Sequence, residues 1–257
     1  DGHTGPRFLS NYNQTGGTDL DGIYGVASMH VDNNVTTIDA KKSWFMFDDE
    51  MVALGAGISA DDDCVVETTI DNRMMSAEGD NRVLINGQEC IPTANKTEAI
   101  EDAKWIHYSG TRENADIGYI IPGGAKIFAL RDNRIGRWRD ISGAGTEDPI
   151  EKTYFTMWYN HGINPDNASY QYAILPGKTP EKTEAYYNNP DFTVLCNDLR
   201  VQAVRENKLG VTGAIFWEPI RTSLDFMTVS SCAAVMVKQA DGEVTVSVSD
   251  QTQKNTE

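Results

Sequence analysis

The side chains best suited to chemistry form a short basic and aromatic cluster. It consists of Arg131, Arg134, Arg137, Trp138 and Arg139. A guanidinium group binds a carboxylate through two parallel hydrogen bonds, and an indole ring offers a broad apolar face. The cluster could therefore line a cleft for an anionic sugar, and Arg134, Arg137 and Trp138 are the candidate substrate-binding residues.

The same cluster also has a structural interpretation, which the sequence favours. Carboxylates nearby in the sequence can neutralise the arginines, and Trp138 can belong to the hydrophobic core. These carboxylates are those of Asp132, Asp140, Glu147 and Asp148.

His161 invites a catalytic role because it lies in the distinctive segment Asn160-His161-Gly162. Polar side chains beside glycine more often bind backbone groups and fix turns. We therefore expect Asn160 and His161 to stabilise a turn ahead of Pro165. No residue of the chain is assigned a catalytic role.

Two acidic triplets could supply the oxygen ligands that calcium prefers. They are Asp48-Asp49-Glu50 and Asp61-Asp62-Asp63. The first is expected where a strand turns and the second in a solvated loop, and neither has the spacing of an EF-hand. We therefore predict no metal and no cofactor, with calcium as the open alternative.

The cysteines do not have the spacing of a zinc site. Cys64, Cys90, Cys196 and Cys232 are far apart, and no CxxC pair is present. Zinc sites usually contain such pairs. Two disulfides in an oxidising compartment and buried free thiols remain equally open.

The charge balance restricts the partners. The chain has 22 Lys and Arg against 38 Asp and Glu, a net charge of −16. This charge repels nucleic acids and anionic membrane surfaces, and no apolar run is long enough to cross a bilayer. We expect neither nucleic acid nor membrane as a partner, and a polyanionic sugar would need a local basic cleft.

Strands must position these residues, because strand signals run through the whole chain. The predicted segments are short, rich in β-branched and aromatic residues, and bounded by turn formers. Trp44, Trp105, Trp158 and Trp217 lie in such segments and are expected in the core. The predicted strands are Ile23–Val31, Ser43–Leu54, Cys64–Ile70, Arg82–Ile85, Trp105–Tyr108, Gly118–Ile121, Lys126–Leu130, Tyr154–Tyr159, Tyr170–Leu175, Phe192–Asn197, Val201–Glu206, Thr212–Trp217, Cys232–Lys238 and Glu243–Ser249.

Helical signals are few, with Lys96–Lys104 and Pro180–Tyr187 as the best segments. The Asp241-Gly242 turn predicts a hairpin of the last two strands, in which valines alternate with Thr and Ser and leave one face wet. The fold class is therefore all-β, a large antiparallel sandwich with few or no long helices.

Several longer strings are more specific than any single motif. The main one is KKSWFMFDDE at residues 41–50, followed by VALGAGI at 52–58. Others in the same order are GVASM at 25–29, TTIDNR at 68–73, KWIH at 104–107, WYNHG at 158–162, LPG at 175–177 and VQAVR at 201–205. Over nearly the whole chain the sequence resembles polysaccharide lyase family 8, which includes hyaluronate, chondroitin AC and xanthan lyases.

The resemblance implies a domain organisation. Residues 21–240 would be the central β super-sandwich, of the galactose mutarotase-like kind. Residues 1–20 would be a linker from a missing N-terminal α/α toroid, and residues 241–257 the start of a truncated C-terminal β domain. The missing domains of the same polypeptide and an acidic polysaccharide would be the partners.

The resemblance also implies a reaction, the β-elimination of acidic polysaccharides by a carbon-oxygen lyase. In the family, the Asn, His, Tyr and Arg that act on the uronic acid lie on the helical domain. None of those motifs is matched here, so this fragment is expected to be inactive alone. The family further implies a secreted or periplasmic protein. A stand-alone carbohydrate-binding module and a purely structural secreted sandwich remain the alternatives.

Overall fold

The structure is a computed structural model that describes residues 9–90, 92–240 and 242–254. It is 58% strand and 5% helix, which confirms the all-β fold class. The described strands are β1 (Thr15–Leu20), β2 (Tyr24–Asp32), β3 (Asp39–Met46), β4 (Met51–Ser59), β5 (Val65–Met74), β6 (Val83–Ile85), β7 (Gln88–Glu89), β8 (Glu98–Tyr108), β9 (Ile117–Gly136), β10 (Ile150–Ile163), β11 (Ala168–Pro176), β12 (Phe192–Asn197), β13 (Val201–Glu206), β14 (Val211–Phe216), β15 (Thr222–Leu224), β16 (Met227–Val229), β17 (Ala233–Ala240) and β18 (Glu243–Ser249).

The chain divides into two compact units. Unit 1 comprises Asp1–Val66, His161–Ala173 and Asn189–Glu257, and unit 2 comprises Glu67–Asn160 and Ile174–Asn188. Residues 1–8 of the predicted linker lie outside the described residues.

Unit 1 is a sandwich of two antiparallel sheets. One contains β1 to β4 and the first part of β11, and the other has the order β12-β13-β14-β17-β18. Phe45 on β3 has no exposed surface, and its ring lies directly over Gly213 of β14, where a Cβ atom would come within 2.7 Å of the ring. Glycine at that point lets the two sheets approach closely around a bulky aromatic side chain.

Unit 2 is built around the long strand β9, which pairs with β8 on one side and with β10 on the other. The helix α1 (Pro180–Asn188) packs against β8 and β9. The predicted helix at Pro180–Tyr187 is thus confirmed, whereas the one at Lys96–Lys104 is wrong, because most of that segment forms β8. Pairing with β9 stabilises the extended backbone and overrides the weak helical pattern.

The strand predictions err mainly at turns. The segment predicted as one strand, Ser43–Leu54, is two strands joined by a turn in which Phe47 N–H donates to the carbonyl of Glu50 at 3.0 Å. Conversely, Gly118–Ile121 and Lys126–Leu130 belong to the single strand β9. The predictions overlook β1, β7, β15 and β16, which are short or rich in polar residues.

The hairpin of β17 and β18 is confirmed, with Ala240 opposite Glu243, while Asp241 lies outside the described residues. The valines of β18 form its solvent-exposed face: Val244, Val246 and Val248 are 62%, 55% and 61% exposed. Ser247 and Ser249 turn inward instead and bind Thr18 and the carbonyl of Gly17 in β1. The predicted boundary at residues 240 and 241 falls inside this hairpin.

A buried carboxyl in unit 1 gives stability a specific pH dependence. Burial raises the pKa of Glu206 above its ordinary 4.5, and the charges of Asp48 and Asp191 act in the same direction. The folded state therefore holds this proton to a higher pH than the unfolded chain does. The stability that Glu206 contributes is complete below pH 4.5 and is lost as the pH rises through the raised pKa.

We expect Glu206→Gln to stabilise the protein near pH 7 and to have little effect near pH 4, because glutamine keeps an acceptor for Leu209 N–H without a buried charge. Urea unfolding at both pH values measures the difference. Glu243→Gln, at an exposed position, is the matched control and should not change the profile. An equal effect of Glu206→Gln at both pH values would contradict the assignment.

Candidate functional site

The predicted binding residues lie at the tip of the hairpin formed by β9 and β10. Arg134 is opposite Lys152, and Gly136 is opposite Ile150 in the last pair before the tip. A single 3-10 turn, Trp138–Asp140, follows β9. Strand alternation therefore brings Arg134, Lys152 and the tip residues to one face of the hairpin.

Arg134 is held rigidly. Its Nε and Nη2 atoms donate to the two oxygens of Asp132 at 2.9 and 3.0 Å. Further bonds go to Asn72 at 3.1 Å and Thr156 at 2.9 Å, and the guanidinium lies 4.5 Å from the ring centre of Tyr154. Four of the five N–H groups of this arginine are thus engaged, and its main role is to support the neighbouring side chains.

The other arginines of the tip are also paired with carboxylates. Arg137 binds Asp140 at 3.0 Å and Glu147 at 3.2 Å, and Arg139 binds Glu147 at 3.3 Å. The bonds from Arg137 hold the pKa of Asp140 below its ordinary value. The ion pairs that the structural interpretation predicts are therefore present, although Asp148 takes no part in them. Whether the arginines also bind substrate stays a prediction.

Trp138 contradicts the expectation of a core residue, because 56% of its surface is exposed. The 3-10 turn that carries Trp138 contains no buried residue, so the indole ring is not packed into a core there. Trp105, Trp158 and Trp217 are buried as expected, at 5%, 9% and 2% exposure. Trp44 is half-buried.

The structure brings the three candidate residues together around one open cavity of about 490 Å³, which Arg134, Arg137 and Trp138 line. Asn72, Lys152 and Tyr154 line it as well. The sequence analysis overlooked these three. The register of the hairpin brings Lys152 and Tyr154 to the cavity, and Asn72 comes from β5. Lys152 forms no ion pair within the described part of the chain, so it is the free cation of the site.

Arg131 lies apart from this cavity. Its Nη1 atom is 3.5 Å from the carbonyl of Gly79, and it lines a smaller cavity of about 230 Å³ with Asn95 and Thr153. The basic cluster seen in the sequence is therefore divided in the structure, because Arg131 precedes the tip by several residues of strand.

Asn160 and His161 lie inside β10, so the predicted turn at their position is wrong; β10 continues to Ile163. His161 is half-buried, with its ring centre 6.3 Å from that of Tyr170. Burial lowers the pKa of His161, and the positive charge of Lys42 lowers it further. A neutral imidazole in this position is a hydrogen-bonding group at neutral pH.

The acidic triplet at residues 61–63 accepts hydrogen bonds from other parts of the chain. Asp62 accepts from the N–H of Thr37 at 2.8 Å, and Asp63 accepts from Asn164 at 2.9 Å. Across residues 9–90, 92–240 and 242–254, no group of three His, Cys, Asp or Glu side chains is arranged to hold a metal ion. All four cysteines are free thiols. No helix among the described residues is long and apolar enough to cross a membrane.

Comparison with known proteins identifies the family. Residues 4–187 match the sequence model of the polysaccharide lyase family 8 super-sandwich domain, and residues 193–257 match that of the family 8 C-terminal β-sandwich domain. The second match begins well before the predicted start of a C-terminal domain at residue 241. The division of the chain at residue 241 stays a prediction.

Full-length relatives are much longer than this chain. Xanthan lyase of Bacillus sp. (strain GL1) is 40% identical over 92% of this chain and 26% of its own length. Hyaluronate lyase of Thermasporomyces composti is 35% identical over 96% of this chain and 31% of its own length. The chain thus spans between about a quarter and a third of these relatives.

The solved structure of a Paenibacillus xanthan lyase superposes on 96% of this chain and 24% of its own, with a TM-score of 0.93 and 38% identity. The sequence comparison and the structural superposition thus identify the same family over nearly all of the chain. The chain belongs to polysaccharide lyase family 8.

Proposed function

We propose that this chain is the β-sandwich part of a secreted lyase that cleaves an acidic polysaccharide by β-elimination. The observation that carries the proposal is the match of nearly the whole chain to relatives named xanthan lyase and hyaluronate lyase. Since the chain spans only 26% and 31% of them, we assign most of the catalytic groups to a helical domain of the same polypeptide.

The environment of two of the histidines, His107 and His30, supports this assignment. His107 is fully buried, and its Nε2 atom lies 3.1 Å from the carbonyl of Lys178 and 3.2 Å from Asp116. His30 is held between Gln14 and Asp39. A general base needs access to a substrate proton, so neither residue suits that role.

In this proposal the hairpin tip contributes to substrate binding. Trp138 offers an exposed ring on which the apolar face of a sugar can stack, and Lys152 offers a cation to its carboxylate. Arg134 and Arg137 hold this arrangement through their ion pairs. The surface of the chain is acidic on average. This is compatible with the role, because binding needs only one cation close to the carboxylate of the sugar.

The reaction is tested by following the ultraviolet absorbance of the conjugated double bond that β-elimination creates. The purified chain is incubated in turn with hyaluronan, chondroitin sulfate and xanthan. We expect no product from the chain alone and product from the full-length polypeptide. Rising absorbance with this chain alone would place the base within these 257 residues and overturn the assignment to another domain.

Trp138→Ala tests the hairpin tip. We expect it to weaken the binding of acidic oligosaccharides to this chain by about threefold to tenfold, the range for one aromatic stacking contact. Stability should change by less than about 0.5 kcal/mol, since the ring is exposed. Trp138→Phe is the matched control and should retain most of the affinity, as measured by calorimetry. Unchanged affinity in Trp138→Ala would remove the tip from the binding surface.

A stand-alone carbohydrate-binding module is the second candidate, and the exposed Trp138 beside an open cavity favours it. This alternative also predicts sugar binding without turnover. The two are separated by the natural gene: a helical domain encoded upstream supports the lyase, and a signal peptide immediately upstream supports the module.

A further inference from the structure

A second cluster of cationic and aromatic side chains lies in unit 1, whereas the hairpin tip belongs to unit 2. On β3, Lys42 is opposite Met29 of β2 and Gly55 of β4. The ring of Tyr170 of β11 lies against Gly55, where a Cβ atom would come within 2.0 Å of the ring. The absence of a side chain at residue 55 thus leaves room for the tyrosine ring beside the lysine.

Two aromatic rings flank the amine of this lysine. Lys42 Nζ lies 5.8 Å from the ring centre of Tyr170 and 5.9 Å from that of Trp44, and His161 adjoins Tyr170. We call Lys42, Trp44, His161 and Tyr170 the Lys42 patch. Its lysine, tryptophan and histidine are all half-buried, so a ligand can reach them.

Within the described residues, Lys42 itself has no acidic partner. Burial alone lowers the pKa of Lys42, with no carboxylate opposing it. Within residues 9–90, 92–240 and 242–254, Lys42 Nζ has neither a hydrogen-bond partner nor an ion pair. In a chain with 38 acidic residues against 22 basic ones, a half-buried and unpaired cation is costly.

Among the described residues, three other lysines lie over aromatic rings, and each has a partner that Lys42 lacks. Lys41, over Trp217, donates to the carbonyl of Leu199 at 2.6 Å. Lys238 lies 5.8 Å from the ring centre of Tyr24 and pairs with Asp21 at 3.5 Å. Lys126, over Phe128, pairs with Glu101 at 2.8 Å. Lys238 and Lys126 thus have a carboxylate partner and Lys41 a backbone carbonyl, whereas Lys42 Nζ has neither among the described residues.

The place of that carboxylate can be taken by a ligand. We propose that the Lys42 patch binds the carboxylate of an acidic sugar. Lys42 would pair with the carboxylate, the half-buried indole of Trp44 would contact the apolar face of the sugar ring, and the imidazole of His161 would add a hydrogen bond. The choice of a sugar acid rests on the proposed function, whereas the need for an anion rests on the charges alone.

The test is binding of a hyaluronan tetrasaccharide to this chain, measured by calorimetry. Each variant is also made in the Trp138→Ala background, so that a loss at the Lys42 patch is separated from binding at the hairpin tip. We expect Lys42→Gln to weaken binding about tenfold or more, the loss of one charge-assisted hydrogen bond. Lys42→Arg should restore most of it, and the matched control Lys238→Gln should stay within about twofold of wild type. Thermal unfolding of each variant verifies that it is folded.

Two ligand controls identify the group that is recognised. The carboxyl-reduced tetrasaccharide should bind wild type as weakly as the acid binds Lys42→Gln, and inorganic sulfate should bind weakly. In NMR spectra the acid should shift the signals of the His161 ring and the Trp44 indole. Unshifted signals, or sulfate binding as tightly as the acid, would overturn the inference.

The inference and the proposed function can fail separately. If Trp138→Ala loses affinity and Lys42→Gln does not, the Lys42 patch is excluded and the proposed function stands. If Lys42→Gln loses affinity while the full-length polypeptide gives no unsaturated product, the patch stands and the lyase proposal fails.

Discussion

Phe45→Ala is expected to lower the free energy of unfolding by about 3 to 5 kcal/mol, the range for removing a buried phenylalanine. The ring has no exposed surface and lies over Gly213 between the two sheets of unit 1. A glycine cannot fill the space that the ring leaves, so most of the cavity should persist. Urea unfolding monitored by tryptophan fluorescence measures the loss.

Phe45→Leu is the matched control, because leucine retains much of the buried volume, and its cost should be well below that of alanine. A loss below about 1 kcal/mol in Phe45→Ala would show that the sheets close over the vacated space. The packing at Gly213 would then not depend on the aromatic ring.

The second large effect is expected at the network of Asp71, Arg73 and Tyr119 in unit 2. Tyr119 is fully buried, and its hydroxyl donates to Asp71 Oδ2. Arg73 Nε donates to the same oxygen at 2.7 Å. Asp71→Ala leaves a buried hydroxyl and a half-buried guanidinium without this acceptor, so we expect a loss of about 2 to 3 kcal/mol.

Tyr119→Phe provides the test of the mechanism, because it removes the hydroxyl that Asp71 satisfies. The double variant should be less destabilised than the sum of the two single variants, as measured by a thermodynamic cycle. Strict additivity would show that the cost of Asp71→Ala arises elsewhere, for example from Arg73 alone.

The sequence predicts the strands well where alternation and turn residues coincide. It predicts β12, β13 and β18 with the correct bounds, and each has Asn, Asp or Gly within three residues of both ends. It predicts a strand too long at Ser43–Leu54, because Phe47 continues the apolar run into a turn. The pattern of residue types near Phe47 does not reveal the backbone hydrogen bond that closes that turn.

The candidate site was only partly predictable. Residue types alone indicated Arg134, Arg137 and Trp138, and the structure brings them to one cavity. Lys152 needed the register of the hairpin. Lys42 needed contacts with residues more than a hundred positions away in the chain, such as Tyr170, and no short-range pattern contains such contacts.

The valines of β18 illustrate a different limit. Alternation correctly predicts that they share one face, but not which face is wet. Ser247 and Ser249 determine which face is exposed, because their hydroxyl groups form hydrogen bonds with β1. Polar contacts between sheets can thus reverse the orientation that hydrophobicity alone would favour.

The order of the segments in unit 1 has a consequence for synthesis of the protein. Its first sheet comes mainly from the start of the chain and its second from residues after Asn189, with unit 2 encoded between them. The partner of Phe45, Gly213, is therefore made long after it. During translation the apolar face of the first strands stays uncovered until unit 2 and the second sheet have been synthesised. We therefore expect unit 1 to fold late, and slowly for its size.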